Sequence, residues 1–251
     1  MVVVLCMILH RDACQYEIST VYLNAPLKIV HFIRRLAGFP LKPGWVYKVK
    51  HVLYGLHESG REWYDELRGW LSEKGWQRCT TEPCLYFYMA GETIALVQIY
   101  VDGVICATKE ESWKVEFFAE LNTNYGVKDL DRLHNYLGVQ LECQDDGVLL
   151  HQTKYAHDVL ARWMSSPMDT TVKSKEATEG DREPGLPCRA VIGALLYLAT
   201  STRLDLAFPV AYLCRLMQHR TVAHAGAAKR ILLYLVATSN HGIFFTKTKH
   251  Y

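Results

Sequence analysis

"LVQIYVDGVICAT", residues 96–108, sets two runs of strand-forming residues on either side of Asp102-Gly103. Asp-Gly between such runs is a strong hairpin signal, because a tight primed turn needs positive φ, which Gly adopts freely and Asp tolerates. The stretch therefore predicts an antiparallel hairpin cornered at Asp102 and Gly103. A second reading stays open at this point: a carboxylate at a hairpin tip can hold a metal ion as well as turn a chain.

Working outward, "CLYFYM" (84–89) and "TIALVQIY" (93–100) form strands around Ala90-Gly91-Glu92, so the hairpin extends into an antiparallel meander. A helix is predicted from Glu110 to about Tyr125, with Trp113, Phe117 and Leu121 four apart and Gly126 closing it. Upstream, "WVYKVKHVLYGL" (45–56) has strand composition, with Lys48 and Lys50 alternating outward. Ser59 followed by Glu62 reads as a capping box for a helix whose Trp63, Leu67, Trp70 and Leu71 share a face, and Gly75 suits its C-terminal cap. "YLGVQLEC" and "VLLHQ" around "QDDG" make another hairpin, followed by a short helix in "KYAHDVLARW". Strands and helices in this arrangement define an α+β fold.

From Ser165 to Pro187 the chain turns polar and charged, as a linker does. Beyond it the period is helical throughout: "RAVIGALLYLAT", "DLAFPVAYLCRLM" with Pro209 near its first turn, and "AHAGAAKRILLYLVAT" with Ala228, Ile231, Leu232 and Leu235 on one face.

Composition excludes little. The 251 residues, 50% hydrophobic and 22% charged, can bury one large core or two small ones, which argues against disorder. Twenty-eight Lys and Arg against 26 Asp and Glu leave +2, so nucleic-acid binding would need a local basic patch. The eight cysteines are scattered without CxxC pairs or zinc-type His spacing, which fits reduced thiols in an intracellular, non-secreted chain. "MVVVLCMIL" (1–9) is too short to span a bilayer and has no basic leader, so neither a membrane anchor nor a signal peptide is expected.

Taken in order, "QYEISTVYLNAPL" (15–27), "VYKVKHVLYGLHESGREWY" (46–64), "YVDG" (100–103), "LHNYLGVQL" (133–141), "AVIGALLYLATSTRLDLAF" (190–208) and "HAGAAKRILLYL" (224–235) resemble the reverse transcriptase of copia-type LTR retrotransposons. The resemblance covers nearly the whole chain, and the "LYGL…SGREWY" spacing between the other blocks is its most specific part. It implies a polymerase palm, an antiparallel sheet backed by helices, followed by a helical thumb and connection region. Residues 1–164 would hold the palm and the start of the thumb, 165–187 a linker, and 188–251 helices leading toward an RNase H domain outside the chain. The fingers and RNase H regions would come from another chain. The implied partners are an RNA or DNA primer–template and deoxynucleoside triphosphates, inside a cytoplasmic particle or the nucleus.

Such polymerases use two-metal phosphoryl transfer, with Mg²⁺ or Mn²⁺ ions ~3.5–4 Å apart. Carboxylates suit these hard ions, which take oxygen ligands and leave room for substrate phosphates. The resemblance places the family's first Asp at Glu17 and the two adjacent hairpin Asp at Asp102 and Gly103. Glu17 keeps a carboxylate but moves it by about one C–C bond, ~1.5 Å, and Gly103 brings none. On this reading Gly103 improves the turn while deleting a ligand. Tyr22 falls on the aromatic residue beneath the incoming sugar, Tyr136 and Gly138 on the primer-grip turn, and Lys48 and Lys50 on template-phosphate contacts. Strand-end packing and an ordinary β-turn explain the tyrosine and glycine positions equally well, and two outward lysines on a strand are more often solvated edge protection. The family reading is thus an RNA-directed DNA polymerase with a damaged metal site. The alternatives are a non-catalytic nucleic-acid-binding remnant and an unselected translation product.

Overall fold

The computed structural model describes residues 13–164, 186–218 and 221–247. The apolar opening and all of the polar stretch except Leu186 and Pro187 lie outside them. The chain divides into two compact units after Leu133, so β-hairpin 136–152 and the helix after it group with the later helices, upstream of the polar stretch.

In the first unit the elements run β1 (Ala13–Ile18), α1 (Val21–Asn24), β2 (Pro26–Ile33), β3 (Tyr47–His51), α2 (Ser59–Glu73), β4 (Gln77–Arg78), β5 (Leu85–Ala90), β6 (Thr93–Tyr100), β7 (Gly103–Thr108), α3 (Glu111–Tyr125) and β8 (Val127–Arg132). Six strands form one sheet in the order β4-β5-β6-β7-β1-β8, and β2-β3 is a separate two-stranded ribbon. The predicted meander is β5-β6-β7, each pair antiparallel. Its edge neighbour is β1, inserted between β7 and β8 from the start of the chain.

Helical spacing decides what covers this sheet. Trp63, Leu67 and Leu71 of α2 and Phe117, Phe118 and Leu121 of α3 are buried together with Tyr16, Ile18, Val97, Val104 and Cys106 of the strands. Fully burying each large apolar side chain contributes about 1.5–3 kcal/mol, so these two helix faces fix the helices on the sheet. Gly75 and Gly126 take positive φ just past the two helices, as expected.

The capping box does not form. Ser59 is already the first helical residue and no side chain caps α2. Its hydroxyl instead donates to the carbonyls of Leu53 and Leu56, at 2.7 and 2.8 Å, while Glu62 lies 2.9 Å from Lys28 Nζ. A Ser in the first turn can satisfy the preceding loop as readily as the helix.

The second unit contains β9 (Asn135–Tyr136), β10 (Val139–Gln144), β11 (Gly147–His151), α4 (Thr153–Trp163), α5 (Cys188–Ser201), a 3₁₀ turn at Leu204–Leu206, α6 (Ala207–Leu216), α7 (Val222–Ala237) and β12 (Gly242–Thr246). Its core joins Val191, Leu195 and Leu198 of α5 to Val210 and Leu213 of α6 and to Ala228, Leu232 and Leu235 of α7. The tail of the chain is not helical throughout: β12 pairs with β11 and completes a sheet in the order β12-β11-β10-β9. A five-residue alternating run after a long helical pattern is too short to announce itself, and its partner lies about a hundred residues upstream.

Arg203 closes this unit. It is 1% exposed, and its guanidinium donates to both carboxylate oxygens of Asp205, at 2.9 and 2.7 Å, and to the carbonyl and hydroxyl of Thr238, at 2.8 and 2.7 Å. The 3₁₀ turn is thereby tied to the end of α7.

Candidate functional site

The site residues of the first unit are assembled by strand register. In the antiparallel pairing of β1 with β7, Tyr16 faces Val104 and Glu17 faces Gly103, and the Ile18 amide donates to the Asp102 carbonyl at 2.8 Å. Alternation then sorts the side chains: Tyr16, Ile18 and Val104 are buried, whereas Glu17 and Asp102 are exposed. Glu17, Asp102 and Gly103, the three positions at which the resemblance expects carboxylates, therefore meet at one end of two neighbouring strands. Only two of them carry a carboxylate.

The turn differs from the sequence expectation. Tyr100 pairs with Gly103, so the corner residues are Val101 and Asp102, and Gly103 opens β7. Val101 has φ 56°, while Asp102 is not among the positive-φ residues. Positive φ at the first corner residue alone is the pattern of a type II′ turn, which normally takes Gly at that place. A β-branched residue there is a marked outlier, with a cost on the order of 1–3 kcal/mol. Gly103 consequently does not ease the corner, contrary to the sequence expectation.

The strained turn has a neighbour that the sequence did not point to. Trp63 Nε1 donates to the Val101 carbonyl at 2.9 Å. The indole is 3% exposed and meets the Tyr125 ring edge-on at a centroid distance of 5.4 Å. From the sequence alone Trp63 reads only as part of an apolar face; no periodicity reveals where an indole N–H will point.

Tyr22 lies in α1, just after β1, and meets Tyr54 edge-on at 4.8 Å. With Trp63, Tyr64, Tyr100 and Val101 it lines a cavity of about 230 Å³ beside the turn. Tyr16 sits behind Glu17. Burial pushes its phenol well above the ordinary range, with Asp129 and Cys14 adding to the effect, so the ring brings no charge to the site.

The remaining expected contacts do not share this sheet. Lys48 and Lys50 are exposed on the β2-β3 ribbon, Lys48 opposite Phe32. Tyr136 and Gly138 belong to the second unit, where Leu137 and Gly138, both with positive φ, turn β9 into β10. The Tyr197 hydroxyl donates to the Leu137 carbonyl, and a Cβ on Gly138 would lie 2.8 Å from that hydroxyl oxygen. Glycine is needed here for both backbone and space.

The donor set sets the limit on metal chemistry. Among the described residues no three His, Cys, Asp or Glu side chains group to hold an ion. Glu17 and Asp102 carry exposed carboxylates, the hard oxygen donors that Mg²⁺ or Mn²⁺ takes.

The protein-family model for "Reverse transcriptase (RNA-dependent DNA polymerase)" matches residues 2–172, and the chain belongs to this family. It is 31% identical over 242 residues to the retrovirus-related Pol polyprotein from transposon RE1 of Arabidopsis thaliana, covering 93% of this chain and 16% of that protein. It is 26% identical over 255 residues to the corresponding polyprotein from transposon TNT 1-94 of Nicotiana tabacum, covering 94% and 19%. A putative transposon Ty5-1 protein of Saccharomyces cerevisiae is 25% identical, with 88% of this chain and 75% of that protein covered. The chain thus spans less than a fifth of the length of the plant polyproteins. It is a copia-type reverse transcriptase domain of the Pol polyprotein kind. No helix among the described residues is long and apolar enough to cross a membrane.

Proposed function

We propose that this chain is the palm and thumb portion of an RNA-directed DNA polymerase, one that keeps the frame of the catalytic site and has lost its full ligand set. The observation that carries this reading is the pairing of Glu17 with Gly103 at the end of the β1-β7 ladder. Asp102 and Glu17 are the residues that would hold Mg²⁺ or Mn²⁺. A cation bound there would neutralise charge on nucleotide phosphates.

The chain's own residues set how far such chemistry could run. Asp102 rides on a turn whose carbonyls accept from the Ile18 amide and the Trp63 indole. Glu17 presents its carboxylate on an arm one methylene longer than Asp. Misplacing a reacting group by ~1 Å can cost about a hundredfold in rate, and with Gly103 a second ion would lack a carboxylate. Tyr22 borders the same cavity as the turn, which supports a role for it beneath an incoming sugar. Primer and template would be held by Lys48 and Lys50 on the ribbon and by the Tyr136–Gly138 turn.

Primer extension on an RNA template with a DNA primer, deoxynucleoside triphosphates and Mg²⁺ or Mn²⁺ tests this directly. The natural chain is expected to incorporate no detectable nucleotide, and a Glu17→Asp, Gly103→Asp double variant to extend the primer. Extension by the natural chain at the double variant's rate would overturn the reading. Failure of both, with duplex binding that weakens steeply in salt, would favour the non-catalytic remnant.

A further inference from the structure

We infer that Trp63 is a positioning residue for Asp102, acting through the peptide bond that joins Val101 to Asp102. The inference rests on the functional reading above for its consequence, but its geometry stands on its own. The carbonyl that accepts the Trp63 indole N–H at 2.9 Å belongs to that peptide. In a two-residue turn this peptide is the part that can flip. One orientation gives positive φ at the first corner residue only, type II′, and the other gives it at both, type I′.

The sequence favours neither orientation strongly. Val101 is strained in both, since both need positive φ at its position, and Asp is among the residues that tolerate positive φ best. An Asp102 left to itself can therefore take up the flipped form, and the flip redirects its Cα–Cβ bond and with it the carboxylate. A hydrogen bond to the Val101 oxygen removes that freedom by holding the plane of the peptide. Trp63 can do this because its ring is fixed from behind: it is 3% exposed and edge-on to Tyr125. The Tyr125 carbonyl in turn accepts from Asn24 Nδ2 at 3.2 Å, and the same amide donates to the Ser19 carbonyl just past β1. The indole is thus braced by the chain that follows Glu17 and delivers its N–H to the chain that precedes Gly103.

This is a role distinct from packing. Leu67 and Leu71, on the same face of α2, fill the same core but place no polar atom near the turn. Tyr64, which lines the cavity with Val101, has its own hydroxyl engaged by Arg78.

The test is a double-mutant cycle on the whole chain with Trp63→Phe, which keeps an aromatic ring and removes the N–H, and Val101→Gly, which relieves the positive φ. Two readouts are taken, the urea midpoint and the affinity for Mn²⁺ measured as the part abolished by Asp102→Asn. Trp63→Phe is expected to weaken Mn²⁺ binding about fivefold, the size of one ordinary hydrogen bond. In the Val101→Gly background, where glycine accepts either turn without strain, the same substitution is expected to act differently on both readouts, so that the two changes are non-additive. Equal effects of Trp63→Phe in both backgrounds on both readouts would reduce Trp63 to packing and overturn the inference. If Asp102→Asn leaves Mn²⁺ binding unchanged, the functional reading fails instead, and non-additive urea midpoints still decide whether the indole holds the turn.

Discussion

Glu17 and Gly103 stand directly opposite each other in the β1-β7 ladder, one pair from the hairpin tip that carries Asp102. Directly opposed residues in an antiparallel pair share a face, with Cβ positions ~4.5–5.5 Å apart. That face is open to solvent here, since Glu17 is exposed. Gly103 is a strand residue without a left-handed backbone, so Gly103→Ala is expected to raise stability by about 0.4–1 kcal/mol through a less flexible unfolded chain. Urea unfolding checks this. A loss of stability instead would mean that the β6-β7-β1 ladder has no room for a Cβ at this position.

Gly138 is the contrary case. Its φ is 77°, and an added Cβ would meet the Tyr197 hydroxyl at 2.8 Å. Gly138→Ala is expected to destabilise the second unit by about 1–2 kcal/mol from the backbone alone. In a Tyr197→Phe background the steric part disappears and a smaller loss remains. A substitution without effect in either background would show that the turn is not held as described.

Arg203 and Asp205 give the second unit an acid-sensitive contact. The Arg203 guanidinium holds the Asp205 carboxyl below the usual carboxylate range. A lowered folded-state pKa contributes stability above the unfolded value, and that contribution is lost as pH falls through the lowered one. Relative to Asp205→Asn, the natural chain should therefore lose stability as pH drops from about 4 downward. At neutral pH Asp205→Asn is expected to cost about 2 kcal/mol, less than the ~3–5 kcal/mol of breaking a fully buried pair, because the Asp205 side chain is 37% exposed. Parallel pH profiles for the two chains, followed by urea midpoints, would contradict this.

Much of the fold was legible because it is written as period. The α2 face of Trp63, Leu67 and Leu71, the α3 face of Phe117 and Leu121, and the β5-β6-β7 meander came from spacing and turn residues alone, and the structure contains all three. The family followed from the order of the motif blocks. Spacing failed where the deciding atom was polar or the partner distant. Ser59 and Glu62 have capping-box spacing and bind elsewhere. Asp-Gly favours a corner at Asp102-Gly103, but the register of β6, β7 and β1 shifts the corner back to Val101, and local preference yields to the ladder. Strand β12 exists only through β11, and no local signal marks a pairing at that separation. The Trp63 N–H and the buried Arg203 are polar functions of side chains that sequence patterns count only by hydrophobicity or charge.

On the proposed function, a two-ion site keeps its strand frame and the ligands for one ion. Mn²⁺ titration of the natural chain beside the Glu17→Asp, Gly103→Asp variant, read as the number of ions bound and checked with Asp102→Asn, tests it most directly. A single weak ion is expected in the natural chain, two in the variant, and loss of binding when Asp102 is replaced. Two ions bound by the natural chain, or binding indifferent to Asp102, would contradict it.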